Sequence, residues 1–310
     1  MDFKHTSVLL SETISSLDVK NDGTYVDCTA GGGGHSKEVL NLLDENGRLI
    51  LIDQDPDAIE VLNERLGNDK RVTIVKNNFS NLKNVLETLG IDSVDGILCD
   101  LGVSSHELDT ASRGFSVNKP GPLDMRMAQS GISAADVVNT YGERELARVI
   151  SKYGEERFAR SIARNIVRER SNGPIDSTQQ LAEIVKYSIP AAARRTGGHP
   201  ARKTFQAIRI EVNRELEVLE GTLDTMFDFL KENGRLSIIT FHSLEDRIVK
   251  KKFASYCEGC TCPKEFPVCV CGKTPRGKLP FKFKTASEEE VLINPRSRSA
   301  TLRTVQKLHN

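Results

Sequence analysis

The chain has 310 residues, 28% charged and 38% hydrophobic, with 43 basic side chains against 43 acidic ones. Its length supports a sizeable core in one or two domains, and no apolar run reaches the ~18 residues of a membrane span, which argues against a membrane protein. The charge is uneven: residues 1–105 hold 9 Lys/Arg and 18 Asp/Glu, residues 106–213 hold 17 and 12, and residues 214–310 hold 17 and 13, so a polyanionic partner is expected on the basic part.

Met1-Asp-Phe-Lys-His5 lacks a signal-peptide core, and the cytoplasm is the expected compartment. Tyr25-Val-Asp27 reads as a buried strand, after which four glycines, Gly31 to Gly34, and His35 turn the chain into a helix over 35–44. A strand, glycine turn and helix in that order present backbone N–H groups to a nucleotide or nucleoside cofactor. The second strand, Gly47-Arg-Leu-Ile-Leu-Ile-Asp53, ends in a carboxylate suited to accept hydrogen bonds from both hydroxyls of a ribose. Helices are predicted over 56–66, opened by Asp55-Pro56, and over 80–89. Between them lies the strand Arg71–Lys76, followed by Phe79; a fourth strand, Val94–Asp100, ends in another carboxylate.

Gly31-x-Gly33-x-x-Ser36 also fits a degenerate dinucleotide fingerprint, so NAD stays open as the cofactor. Three features favour S-adenosylmethionine: Asp27 upstream of the glycines, near a cationic amino-acid end; Phe79, placed for an adenine ring; and Asp100 at the same sheet edge, where ligands of open α/β sheets collect.

After Asp100 the alternation stops. Residues 101–125 read as loop, and from Ser133 to about Ala193 the periodicity is helical, with caps at Ser133, Asn139-Thr140 and Asp176-Ser177. One long helix is expected from Thr204 to Lys231; Arg202, Lys203 and Gln206 near its start are candidate RNA contacts. The strand Gly234–Phe241 follows, then a basic helix Leu244–Phe253, and Ser299–Gln306 alternates as a terminal strand. The economical reading is one α/β sheet interrupted by a helical insertion.

Five of the seven cysteines cluster as Cys257-x-x-Cys260-x-Cys262 and Cys269-x-Cys271. In a reducing compartment that density points to a metal before a disulfide. Zinc takes four thiolates in a tetrahedron, but the C-x-C spacings depart from a standard ribbon, and a mobile, reducible loop is the alternative. Cys28 and Cys99 lie inside strands, outside any Pro-Cys loop, which argues against thiolate attack on cytosine C6.

Nine motifs stand in order: Lys4-His5-x-x-Val8-Leu9-x-x-Glu12, Gly33-Gly-His35, Asp100-Leu-Gly-Val-Ser-Ser105, Arg113-Gly-Phe-Ser116, Gly121-Pro-Leu-Asp-Met-Arg126, Tyr153-Gly-Glu-Glu-Arg-Phe158, Thr204-Phe-Gln-Ala207, Phe241-His-Ser-Leu-Glu-Asp-Arg247 and Asn294-Pro-Arg-Ser-Arg298. Over nearly its whole length the chain thereby resembles the bacterial 16S ribosomal-RNA cytosine-N4 methyltransferases. The resemblance implies a Rossmann-like class I S-adenosylmethionine-dependent methyltransferase sheet formed by residues 1–105 and 211–310, with an inserted all-helical substrate-recognition domain at 106–210. It implies methyl transfer to N4 of a cytidine in the decoding, P-site region of 16S rRNA within the small ribosomal subunit; a homodimer stays open. The implied cofactor contacts are Gly33, Gly34, His35, Asp53, Phe79, Asp100 and Glu107, although many relatives carry Gln preceded by Pro where this chain has His106-Glu107. Asp100 is expected to orient the acceptor amine while His242 and Arg126 position the nucleotide, with no metal in the site. The competing readings are a methyltransferase of another RNA, a protein or a small molecule, and a non-catalytic, cofactor-sensing ribosome-assembly factor.

Overall fold

A computed structural model describes residues 7–194, 198–263, 268 and 270–308; Lys4, His5 and Cys269 lie outside the described residues. The chain divides into two compact units, Met1–Gly102 with Glu217–Asn310, and Val103–Leu216. These breaks fall at 102/103 and 216/217, against the expected 105/106 and 210/211. Along the first segment run α1 (Leu10–Leu17), β1 (Thr24–Asp27), α2 (Gly34–Leu42), β2 (Arg48–Asp53), α3 (Pro56–Leu66), β3 (Val72–Lys76), α4 (Leu82–Thr88) and β4 (Val94–Asp100). The second unit contributes α5 (Ser105–Asp109), α6 (Ala134–Thr140), α7 (Glu143–Gly154), α8 (Ala159–Arg170), α9 (Thr178–Ser188) and α10 (Arg202–Asn213). The chain returns through α11 (Glu215–Asp228), β5 (Leu230–Thr240), α12 (Ser243–Tyr256), β6 (Gly277–Lys278), β7 (Lys284–Thr285), α13 (Glu288–Ile293) and β8 (Thr301–Lys307). None of the described helices is long and apolar enough to cross a membrane.

The first unit is built on a sheet of order β3-β2-β1-β4-β5-β8-β6, with β7 also on β8. The pairs from β3 through β5 are parallel, and β8 runs antiparallel to β5. Parallel strands are covered on both faces, so their sequences are near-continuously apolar and alternate residues serve opposite layers. Along β2, Leu49 and Leu51 join Leu17, Val39, Leu40, Leu62 and Leu66 in one core, whereas Ile50 and Ile52 join Leu82, Leu86, Met226 and Phe227 in the other. At the strands' amino ends, Asp95 is tied to Lys20 at 3.0 Å, to Lys231 at 2.7 Å and to the Thr24 N–H at 3.0 Å, and these donors hold its pKa below the usual carboxylate value against the opposing effect of burial.

The second unit has its own core, with Leu146 and Ile150 of α7, Ile162 and Ile166 of α8, Leu181 and Val185 of α9 and Phe205 and Ile208 of α10. At Gly154 the α7 backbone meets α10 so closely that a Cβ would come within 2.6 Å of the Lys203 carbonyl. Two expectations are corrected. The segment 101–125 is not all loop: a capping box between Ser104 and Glu107 starts α5, and a 3-10 turn spans Ala111–Arg113. The helix expected from Thr204 to Lys231 is two helices, because Arg214 takes a left-handed conformation (φ 52°) that ends α10. A fork of hydrogen bonds from Arg209 to Glu215, both 2.8 Å, fastens the corner. After α11, β5 already begins at Leu230.

Gly96 of β4 lies under the ring of Tyr25 on β1, where a Cβ would come within 2.7 Å of the ring. Gly96→Val is expected to lower the unfolding free energy by about 1–3 kcal/mol through overpacking, read from the denaturant midpoint; an unchanged midpoint would remove this contact from the account of β1–β4 packing.

Candidate active site

Strand order reverses between β1 and β4, since β2 and β3 lie to one side and β5 to the other. Beyond the carboxyl ends of strands at such a switch point the connecting segments diverge and leave a crevice. Asp27 ends β1, Asp53 ends β2 and Asp100 ends β4, so topology alone brings these expected residues to one edge. Asp27 is 3% exposed and accepts from Ser36 Oγ at 2.6 Å and the Thr29 N–H at 3.2 Å. Asp53 accepts from the Gly31 N–H at 2.8 Å and the Asp55 N–H at 2.9 Å, tying the glycine turn to the tip of β2. Burial raises both carboxyl groups to about 6 from an ordinary 3.8, despite these bonds. Asp100 is pushed well above the usual range by burial first, then by the charges of Asp27 and Glu245. Its Oδ1 is buried and has no hydrogen-bond partner among the described residues, and Oδ2 lies 3.7 Å from His35 Nδ1. An edge with three carboxyl groups and a buried acceptor, set against hydroxyl, backbone N–H and imidazole groups, fits a cationic ligand group.

The glycine turn is shaped by contact as well as by conformation. Gly33 caps α2 with φ 79°, and a Cβ on Gly34 would fall 2.0 Å from Ser7 Oγ. His35 Nε2 donates to the Val8 carbonyl at 2.9 Å, which turns Nδ1 toward Asp100. Phe79 opens a 3-10 turn after β3 and is half-buried against the core. His242, at the end of β5, is the N-cap of α12: its Nδ1 accepts the Glu245 N–H at 3.4 Å, and Nε2 lies 3.2 Å from Glu245 Oε1. Glu245, 2% exposed, accepts the Phe241 N–H at 2.9 Å. Sequence reasoning passed over Glu245; the signal available was a cap followed three residues later by Glu.

Glu107 and Arg126 belong to the second unit. Glu107 is buried, and its Oε2 accepts from the Ser104 N–H at 2.7 Å and Ser104 Oγ at 3.0 Å while Oε1 lies 3.7 Å from Arg113. Its carboxylate is thus engaged within its own loop. Arg113 also donates to the carbonyls of Arg126 and Met127, both at 3.0 Å. The Arg126 guanidinium is forked onto Asp124, with Nη2 at 2.6 Å, which holds Asp124 below the usual carboxylate range against burial. Asn213, at the end of α10, straps this loop: it donates to the Met125 carbonyl at 2.8 Å and accepts the Met127 N–H at 2.9 Å. Arg113 and Asn213 were both missed as site-forming residues. Lys203 and Gln206, read as candidate RNA contacts, donate to the carbonyls of Glu155 and Tyr153 at 3.1 Å and so serve the end of α7. Asn213→Ala is expected to cost about 1–3 kcal/mol, measured by chemical denaturation; a loss below 0.5 kcal/mol, within the usual range for a plain surface site, would show that the strap does not hold the loop.

The model of the MraW methylase family matches residues 2–308 of this chain. A protein of Clostridium botulinum named ribosomal RNA small subunit methyltransferase H is 56% identical over 310 residues, covering 99% of this chain and 100% of the relative. One of the same name from Lachnospira eligens is 56% identical over 311 residues, covering 99% of each. Among solved structures, an rRNA methylase from Streptococcus thermophilus aligns at 10% identity with a TM-score of 0.42, covering 97% of this chain and 93% of that one. With a family model spanning nearly every residue and full-length relatives at this identity, the chain belongs to the MraW methylase family.

Proposed function

We propose that this chain transfers a methyl group from S-adenosylmethionine to N4 of a cytidine in the P-site region of 16S rRNA, acting on the small ribosomal subunit. The observation that carries the reading is the carboxyl edge at the switch point, Asp27, Asp53 and Asp100 around a glycine turn. Such an edge attracts the ammonium and sulfonium of S-adenosylmethionine and repels the pyrophosphate of a dinucleotide. The substrate comes from the relatives, which are named for ribosomal RNA of the small subunit.

Gly33, Gly34 and His35 would hold the amino-acid end beside the start of α2, where free backbone N–H groups favour a carboxylate. Asp53 would accept the ribose hydroxyls and Phe79 would face the adenine. When bound, the cofactor supplies a methyl group already activated on sulfur. The amine is the reluctant partner, because its lone pair is delocalised into the cytosine ring. A carboxylate that accepts an amino N–H draws that nitrogen toward sp3 and restores the lone pair; Asp100 Oδ1 is the acceptor assigned here, having no other partner among the described residues. Alignment accounts for much of the remaining acceleration, ~7–11 kcal/mol in well-oriented intramolecular systems. His242 and Arg126 as nucleotide-positioning residues, and Glu107 at the cofactor, belong to the same proposal, as does the role of the helical unit in gripping an unstacked substrate.

Purified protein with labelled S-adenosylmethionine is expected to form N4-methylcytidine in undermethylated small subunits and none in large subunits, read by nucleoside analysis. Cofactor binding without label in any RNA would overturn the reading. Asp100→Asn is expected to lower kcat at saturating cofactor by about 10²–10⁴-fold, and normal turnover would remove Asp100 from its role. Because Asp27 and Asp53 sit near 6 in the folded chain, cofactor affinity should fall as the pH is lowered through about 6. Unliganded stability moves the opposite way: their raised folded pKa stabilises most below the ordinary 3.8, and that contribution is gone above about 6. Calorimetric binding across this window checks the first, and urea midpoints the second.

A further inference from the structure

The segment between α12 and β6 leaves and re-enters the fold at one point. The Arg276 N–H donates to the Tyr256 carbonyl at 2.9 Å, closing a loop whose described residues form neither helix nor strand. Loops of this length without internal structure need another source of order. Inside it, the Sγ atoms of Cys260, Cys262 and Cys271 all lie within 4.8 Å of one another. Cys260 and Cys271 are 3.7 Å apart at sulfur. That is far beyond the ~2.05 Å of a disulfide, and it matches the ~3.8 Å edge of a tetrahedron of thiolates at ~2.3 Å from zinc.

Two backbone groups already favour the thiolate form. The Cys262 N–H points to Cys260 Sγ and the Val270 N–H to Cys262 Sγ, each at 3.4 Å. Hydrogen bonds to ligand sulfur orient it and support its negative charge. Gly272, with φ 60°, turns the chain directly after Cys271, and Lys273 pairs with Glu258 at 2.9 Å across the neck of the loop. We infer that Cys260, Cys262 and Cys271 hold a structural zinc ion that clamps this loop. Each Zn–S bond forms as one S–H bond breaks, its proton passing to water, so binding consumes no oxidant and releases protons. Zinc is the divalent ion that combines thiolate preference with tetrahedral geometry and no redox chemistry.

The test uses the full chain, purified reduced and without a metal-chelating tag, with elemental analysis and cobalt substitution. About one zinc per chain and thiolate-to-cobalt charge-transfer bands are expected. Cys260→Ser, Cys262→Ser and Cys271→Ser should each lose both signals, whereas Cys28→Ala, altered in the buried sheet core, should keep them. No zinc after incubation with the ion, zinc retained by the triple serine variant, or a Cys260–Cys271 disulfide in the reduced protein would each overturn the assignment.

Discussion

Placing carboxyl groups out of water with too little positive charge beside them is the constraint on which the rest of this structure turns. A buried carboxylate is expensive unless hydrogen-bonded or paired, and the sheet treats its two ends differently. At the amino end Asp95 has two lysines. At the carboxyl end Asp27 and Asp53 receive only neutral donors, and Asp100 has the imidazole of His35 at 3.7 Å. The strained neighbourhood is held by what surrounds it: the glycine turn tied to Asp53, Ser7 laid against Gly34, His35 anchored on Val8, and Glu245 locked into the start of α12. A cationic ligand group completes that edge, which is the physical link between strand order and a methylase.

Much of the sheet edge was legible in the chain itself because its signals are local. β-branched runs ending in Asp27, Asp53 and Asp100, and the glycines between the first two, fix their positions within a few residues. The fit of Gly34 to Ser7 was not legible, since nothing in a run of four glycines says which one faces another segment. Asn213 was invisible for a different reason: its carbonyl partner Met125 lies 88 residues away. The break at Arg214 carries neither glycine nor proline, so the corner between α10 and α11 rests on the Arg209–Glu215 fork rather than on a local stop signal. His242 was noticed for its chemistry, which drew attention from Glu245, the buried partner three residues on.

Composition counted the basic residues of the helical unit without sorting them. Arg113 and Arg209 are spent inside it, with side chains 8% and 15% exposed, on carbonyls and a carboxylate. Arg126 is committed to Asp124, a geometry that fixes where its charge sits. Arg164 and Arg168 of α8 stand 73% and 68% exposed, and side chains of this kind are the ones that can answer a polyanion. Net charge is thus a weak guide to an interface until structure separates structural guanidiniums from available ones.

The sheet is discontinuous in sequence, and that has a consequence for how the protein is made. Strand β4 is complete at Asp100, yet its partner β5 ends at Thr240, with the helical unit between them. At about 5–20 residues per second, a ribosome takes roughly 7–28 s to cover that interval. Throughout it the nascent chain carries one open, apolar edge of β4, six of whose seven residues become buried in the finished fold. An open edge of this kind is a template for misassembly. The contiguous helical unit, with its own core, can fold during the wait, so the order of synthesis favours completing the insertion before the sheet that contains it can close.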